Sequence, residues 1–291
     1  MKKEYLYAGV SIFFWSTTAT VTKLLLGTLN SMQIMAVSSL FATLFLFIVN
    51  ILKGNLKKLS KLKASDFIWM FGLGMIGIFI YHLCLYIGID MMDASQAFII
   101  NYLWPIMTVV FACIILREKL TARKTVAVVL SFVGVIVVTA NGNLFAVGHK
   151  TLVGAVYCIV AAVAYGLFSV LDKKKHYDKS VAMMLYYFFT FLVSLLYIVV
   201  TKDYFTMSLA ETGGMLWSGI FTTATAYTSW AMALDKGDTA KISNLAYITP
   251  FLSLVWTTVI LKEEFKPWSL AGLVVIILGI FIQMKDKKKV G

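Results

Sequence analysis

The chain has 291 residues, 60% of them hydrophobic, a mean hydropathy of +0.86 and a formal net charge of +12. Apolar runs recur along the whole length and the polar stretches between them are short. That excludes a soluble two-domain protein and leaves no room for a soluble catalytic domain.

Ten spans are predicted, each long enough to cross roughly 30 Å of hydrocarbon: residues 5–26, 31–52, 67–89, 95–116, 122–140, 151–171, 180–200, 212–234, 240–261 and 267–284. Lys2 and Lys3 ahead of the first span imitate a signal peptide, but the run is long and lacks a small-x-small cleavage site. It is therefore read as a retained span.

The first span carries Trp15, Ser16, Thr17 and Thr18 near its middle. The second reads Ser38-Ser39 at its centre. The third holds Gly72, Gly74 and Gly77, then Tyr81, His82, Cys84 and Tyr86. Small residues let helices approach closely, so the glycines are assigned to packing. The fourth span carries Asn101, Tyr102 and Trp104 before Pro105, the sixth Tyr157, Cys158, Tyr165 and Ser169. The eighth carries Tyr227, Ser229 and Trp230, and the ninth Asn244, Tyr247, Thr249 and Pro250.

For any single aromatic, helix packing is the competing reading. For the group it weakens, because buried Tyr O–H and Trp N–H groups need partners that hydrocarbon does not supply. A polar cavity between helices satisfies them. Proline removes an N–H and displaces the carbonyl four residues back, so Pro105 and Pro250 are expected to free the carbonyls of Asn101 and Ala246 and to act as hinges. His82 is the one histidine inside a span, read as a neutral hydrogen-bonding group or, if it meets substrate, a carboxylate ligand or pH sensor. Cys84, Cys113 and Cys158 all fall within spans and offer neither a disulfide framework nor metal-ligand spacing. No metal or cofactor is expected.

A long repeat organises these elements. Asp93, Tyr102, Pro105, Leu116 and Glu118 recur as Asp238, Tyr247, Pro250, Leu261 and Glu263 at a constant offset of 145. The match extends to Gly74 with Gly219, Asp90 with Asp235 and Gly134 with Gly279. It divides the chain into residues 1–141 and 142–291, five spans each. Twenty-one of the 26 lysines and arginines fall on one side if both termini are cytoplasmic. These cations flank spans, which removes the nucleic-acid reading. An odd number of spans per half means the second enters from the opposite side, an inverted repeat suited to alternating access. Glu118 and Glu263 then lie at opposite faces, with local partners expected at Arg117 and Lys119, or at Lys262 and Lys266. All fourteen acidic residues lie in loops or at span ends. That argues against a proton antiporter using a buried carboxylate and against a pump for bare organic cations.

The Tyr247-Ile248-Thr249-Pro250 segment running to Leu261-Lys262-Glu263, followed by a Gly-bearing helix, resembles the drug/metabolite transporter superfamily, in the ten-helix group whose halves are EamA domains. The resemblance covers residues 5–284. Asn101-Tyr102-Leu103-Trp104-Pro105 and Trp15-Ser16-Thr17 look like the fourth and first helices of that group's aromatic amino acid exporters. The resemblance implies a cavity among helices one, three, four, six, eight and nine, with substrate contacts at positions matching Tyr81, His82, Tyr102 and Trp104, and a counterpart at Tyr165. Family members often carry an arginine in the second span; Ser38-Ser39 departs from that.

The expectation is thus an all-α integral membrane protein of the bacterial plasma membrane, monomeric or a weak homodimer. It is no enzyme, and exports small metabolites, foremost aromatic or large neutral amino acids. The expected substrate contacts are Trp15, Tyr81, His82, Asn101, Tyr102, Trp104, Tyr165, Tyr227, Trp230, Asn244 and Tyr247. The alternative is a multidrug or choline-type carrier, since aromatic boxes attract quaternary ammonium groups.

Overall fold

The computed structural model describes residues 3–175, 177–236 and 245–284, and all regular structure among them is helical. Asn244, Asp238 and Lys241, and the lysines after 284, lie outside the described residues, as does the Asp235 side chain. Helices follow from composition: in hydrocarbon a spanning segment must satisfy every backbone N–H and C=O internally.

In chain order the helices are α1 (Lys3–Ser16), α2 (Thr18–Leu25), α3 (Ser31–Leu52), α4 (Ala64–Gly74) and α5 (Tyr81–Met91). They continue with α6 (Ala94–Asn101), α7 (Trp104–Ile115), α8 (Ala122–Ala140), α9 (His149–Leu171) and α10 (Lys179–Thr201). The last are α11 (Leu209–Leu216), α12 (Ala226–Lys236), α13 (Thr249–Ile260) and α14 (Pro267–Met284). Wider π-helical turns, Met75–Ile80 and Trp217–Thr225, join α4 to α5 and α11 to α12.

Among the described residues, six segments have membrane-crossing length and apolarity: Ser31–Leu52, Ala64–Met91, Ala94–Ile115, Ala122–Ala140, His149–Leu171 and Lys179–Thr201. Ala246–Ile260 and Pro267–Ile282 are shorter apolar helices. The outer faces are apolar as well: Ile68 is 73% exposed, Val200 70% and Val259 67%. Such a surface is stable against lipid and not against water.

Several spans expected to be continuous are broken, each for a local reason. The first divides at Thr17. The hydroxyls of Ser16 and Thr17 donate to the carbonyls of Phe13 and Phe14, both at 2.7 Å, and the Thr17 N–H turns to Phe14 at 3.1 Å. Side-chain capture of carbonyls competes with the helical ladder. The fourth divides at Tyr102-Leu103, and Pro105 then occupies the first turn of α7, where a missing N–H costs nothing. A 3₁₀ turn, Ala246–Ile248, does the same ahead of Pro250 in α13.

Glycines set the closest helix contacts. A Cβ on Gly134 of α8 would lie 2.6 Å from Ile276 of α14, and one on Gly279 of α14 would lie 2.8 Å from the Ser131 hydroxyl of α8. Residue 276 is 131 shifted by 145, so the two contacts exchange partners. The exchange recurs where Gly74 meets Tyr186 at 3.1 Å and Gly219 meets Phe41 at 2.8 Å, since 186 is 41 shifted by 145. Reciprocal contact of this kind is what a two-fold relation produces. Gly72, expected to pack, has no neighbour within 4 Å of such a Cβ and lines an open side groove. Cys84 and Cys158 are buried packing residues.

The helices after the two prolines also end alike. Arg117 and Lys262 both adopt a left-handed φ of 56°. The N–H groups of Glu118 and Glu263 then reach back 3.3 Å to the carbonyls of Ala112 and Thr257.

The two ends of the bundle are tied by charge. At the end carrying the 53–63 loop, Lys58 pairs with Asp178 at 2.6 Å, and Lys175 with Asp66 at 3.0 Å. Burial acts to raise the Asp178 pKa, but the Lys58 ammonium and the N–H groups of Val181 and Ser180 outweigh it and hold the carboxyl below its usual range. At the other end Asn30 and Gln33 donate to Asp203, Lys266 pairs with Asp93, and Lys23 donates to the carbonyls of Ile89 and Met92. The local partners expected for the two glutamates are not the ones found. Glu118 pairs with Lys124 at 3.1 Å, and Glu263 accepts from the N–H groups of Ala94 and Ser95 at 2.7 and 3.1 Å. It serves as the missing cap of α6, where free N–H groups favour an anion.

Candidate functional site: an aromatic cavity among the helix breaks

Each break or π turn aims side chains at one central cavity of about 170 Å³. The break at Thr17 leaves Trp15 and Thr18 on its wall. The first π turn delivers Tyr81, His82 and Leu85, and the interrupted fourth span delivers Phe98, Asn101, Tyr102 and Trp104. Tyr165 comes from α9. The second π turn brings Thr222 and Thr223, followed by Tyr227 and Trp230 from α12, and Ala246 closes the wall. Extra residues in a helical turn rotate everything after them, which is why π segments mark sites that need a particular side-chain direction.

The rings form two clusters. Tyr165 stands 4.8 Å from Tyr81 and 5.2 Å from Trp104, the latter edge-on at 85°. Trp15 lies 5.1 Å from Tyr227 and 5.3 Å from Trp230. Hydroxyls join the clusters, with Tyr165 donating to Tyr227 at 3.3 Å. The Asn101 amide nitrogen donates to the Tyr81 hydroxyl at 3.1 Å. His82 Nδ1 lies 2.8 Å from the Ile78 carbonyl, which can only accept, so Nδ1 carries the proton and Nε2 is left as an acceptor in the neutral ring. Tyr102 donates 3.1 Å to the Ala246 carbonyl, which the proline was expected to free but which the 3₁₀ turn pairs with the Thr249 N–H as well.

Nine of the residues expected from the sequence thus meet in one wall: Trp15, Tyr81, His82, Asn101, Tyr102, Trp104, Tyr165, Tyr227 and Trp230. Asn244 lies outside the described residues. Tyr247 is placed elsewhere: it packs edge-on against Phe281 of α14, 5.7 Å away, and does not line the cavity. Ser16 and Thr17 are also diverted. They accept from the indole N–H groups of Trp256 and Trp217 at 2.8 and 2.9 Å, which pins the break in α1–α2. Sequence reading missed Phe98, Thr222 and Thr223. The adjacent threonines just past Gly219 in an apolar span were the available signal.

Thr223 and Tyr227 also line a second cavity, of about 290 Å³, that reaches Lys53 and Lys179 at the bundle end holding the 53–63 loop. The two cavities share Thr223 and Tyr227 in their walls, and at the opposite end the Glu263 cap and the Lys266–Asp93 pair tie the helix ends together. No carboxylate lines either cavity among the described residues. Nor do the described residues contain a group of three or more metal-ligating side chains. The chamber offers π faces, edges and a few fixed hydrogen-bonding groups, which suits binding rather than bond-making chemistry.

The sequence profile of the EamA-like transporter family matches residues 2–140 and again residues 152–284. Over 99% of its length the chain is 27% identical to an uncharacterised transporter of Clostridium kluyveri, covering 95% of that protein. It is 22% identical, over 67% of its own length and 68% of the relative's, to the aromatic amino acid exporter YddG of Ancylobacter novellus. A crystal structure 19% identical in sequence aligns over 100% of this chain and 99% of its own with a TM-score of 0.70, a likeness of fold.

Proposed function

Because the chain belongs to the EamA-like transporter family, and so is a multi-pass membrane transporter, we propose that it exports aromatic or large neutral amino acids by alternating access. One observation carries the substrate class: the central chamber is walled by Tyr and Trp rings and holds no carboxylate among its described lining residues. Ring edges and faces favour an aromatic side chain, and a zwitterion needs dipoles rather than a full opposing charge. The similarity to an aromatic amino acid exporter points the same way.

Ten spans in two inverted halves, 1–141 and 142–291, account for the partner exchange at Gly74 with Gly219 and at Gly134 with Gly279. The lysine distribution supports an orientation with both termini in the cytoplasm. In that orientation the second cavity, which shares Thr223 and Tyr227 with the central one, lies toward the cytoplasm at Lys53 and Lys179. With no carboxylate lining either cavity among the described residues, flux follows the substrate gradient, and His82 is the described wall group whose protonation would couple it to protons.

A second reading rests on Trp15, Tyr227 and Trp230, whose close rings form a partial box suited to a quaternary ammonium ion. Melting of the purified protein with phenylalanine, tryptophan, choline and tetraethylammonium separates the two, followed by counterflow in proteoliposomes. The amino acid reading expects stabilisation and counterflow with phenylalanine or tryptophan. Stabilisation by the ammonium ions alone would replace it with the cation carrier.

A further inference from the structure

Among the described residues, eleven buried side-chain polar atoms have no hydrogen-bond partner. Eight are hydroxyls, whose hydrogen turns about the C–O bond toward whatever acceptor is near. The other three are fixed in direction: the indole N–H of Trp15, the indole N–H of Trp69 and the amide oxygen of Asn101. Trp69 lies apart, in the side groove beside Lys175. Trp15 and Asn101 both stand on the wall of the central cavity.

Neither orphan is an accident of a loose side chain. Trp15 is held between Tyr227 and Trp230. Asn101 is 2% exposed, and its amide nitrogen donates to the Tyr81 hydroxyl, leaving the oxygen as its unpaired end. Leaving a buried donor or acceptor unsatisfied is costly, whereas a ligand that completes it recovers that cost. An indole N–H only donates and an amide oxygen only accepts. The pair therefore asks for a ligand carrying one acceptor and one N–H donor at its polar end.

We infer that Trp15 and Asn101 grip the two charged groups of the carried amino acid, the Trp15 N–H donating to its carboxylate and the Asn101 oxygen accepting from its ammonium. The inference rests on the amino acid reading above and adds the groups that select for the intact zwitterion. A quaternary ammonium ion has no N–H to give Asn101 and leaves that oxygen unpaired. The rings of Trp104, Tyr165 and Tyr81 remain for the substrate side chain.

The test is titration calorimetry on the purified full-length protein with phenylalanine, phenethylamine, which lacks the carboxylate, and 3-phenylpropionate, which lacks the amine. Wild-type protein is expected to bind each truncated ligand at least tenfold more weakly than phenylalanine. Trp15→Phe should weaken phenylalanine about tenfold and leave phenethylamine unchanged. Asn101→Leu should weaken phenylalanine about tenfold and leave 3-phenylpropionate unchanged. Equal binding of all three ligands by wild-type protein overturns the assignment without any variant, and so keeps it testable if Asn101→Leu fails to fold. Variants that weaken every ligand alike overturn it too, and leave the amino acid reading standing. Failure of wild-type protein to bind phenylalanine at all removes both.

Discussion

Residues 101–105 and their copy 246–250 share a backbone plan and diverge in what they do with it. Both interrupt a span just before a proline, and both continue as a twelve-residue helix ended by a left-handed residue. In the first copy Asn101, Tyr102 and Trp104 all face the cavity. In the second, Ala246 contributes only its backbone carbonyl, Tyr247 turns to Phe281, and Thr249 replaces the tryptophan. Tyr102 reaches across and donates to the Ala246 carbonyl, while Tyr247 makes no reciprocal bond to Asn101 among the described contacts. The halves are alike where they pack and unlike where they enclose the chamber. A repeat supplies a scaffold, and a lopsided substrate requires a lopsided lining.

The largest effect separates Trp104 from Thr249. Trp104→Ala removes a ring from the wall, and an aromatic contact contributes about 0.5–1.5 kcal/mol beyond its burial. Phenylalanine counterflow should fall tenfold or more, while Thr249→Ala should retain most activity. Equal losses would break the comparison.

Packing positions should respond in matched pairs. Gly134→Val and Gly279→Val each force a side chain into backbone or tightly packed atoms of the facing helix. Overpacking of this kind costs about 1–3 kcal/mol, so both variants should melt well below wild type in the same detergent. Gly72→Ala, with open space around it, is the control and should melt with wild type. A tolerant Gly279 beside an intolerant Gly134 would deny the equivalence of the two contacts.

Tyr102→Phe removes one of two donors to the buried Ala246 carbonyl, which keeps the Thr249 N–H, at a cost of about 0.5–1.5 kcal/mol. Tyr247→Phe removes a hydroxyl that closes no such bond, and surface-like changes stay within about 0.5 kcal/mol. Melting of the two variants side by side should differ by several degrees, and identical curves would contradict the asymmetry.

The smallest effect lies in the ties at the two ends. Asn30 with Asp203 at one end and Asp178 with Lys58 at the other are the same kind of bridge, a helix cap held by a loop. Exposed pairs contribute about 0.2–1 kcal/mol. The depressed Asp178 pKa adds stability that is present above its unfolded value and lost as pH falls through its folded one. Asp178→Asn should therefore lower the melting point slightly at neutral pH and match wild type in acid. A gap that widens in acid would reverse the sign of the argument.

Much of this was legible in the sequence because it is set by short-range rules. Hydrocarbon thickness dictates span length, prolines dictate where two helices break, and mid-span Tyr, Trp and Asn residues announce a chamber. The rest depends on partners remote in the chain. Ser16 and Thr17 looked like cavity polarity until Trp256 and Trp217, more than 190 residues away, proved to hold them. Glu263 looked like the partner of nearby lysines, yet it caps a helix 168 residues earlier. Tyr247 has the same identity and local motif as Tyr102, so no short-range rule distinguishes them; only the presence of Phe281 beside it does.

The central claim is that two copies of one unit enter the bilayer from opposite sides around a shared chamber, and residues 119 and 264 test it most directly. They are equivalent at the offset of 145, and both are exposed beyond the helix that follows each proline. Single Lys119→Cys and Glu264→Cys variants, made in a background with Cys84, Cys113 and Cys158 replaced by alanine, are labelled in intact cells with a membrane-impermeant maleimide. The account predicts that the cysteine at 264 is labelled from outside and the one at 119 only after the membrane is opened. Labelling of both from the same side would contradict it.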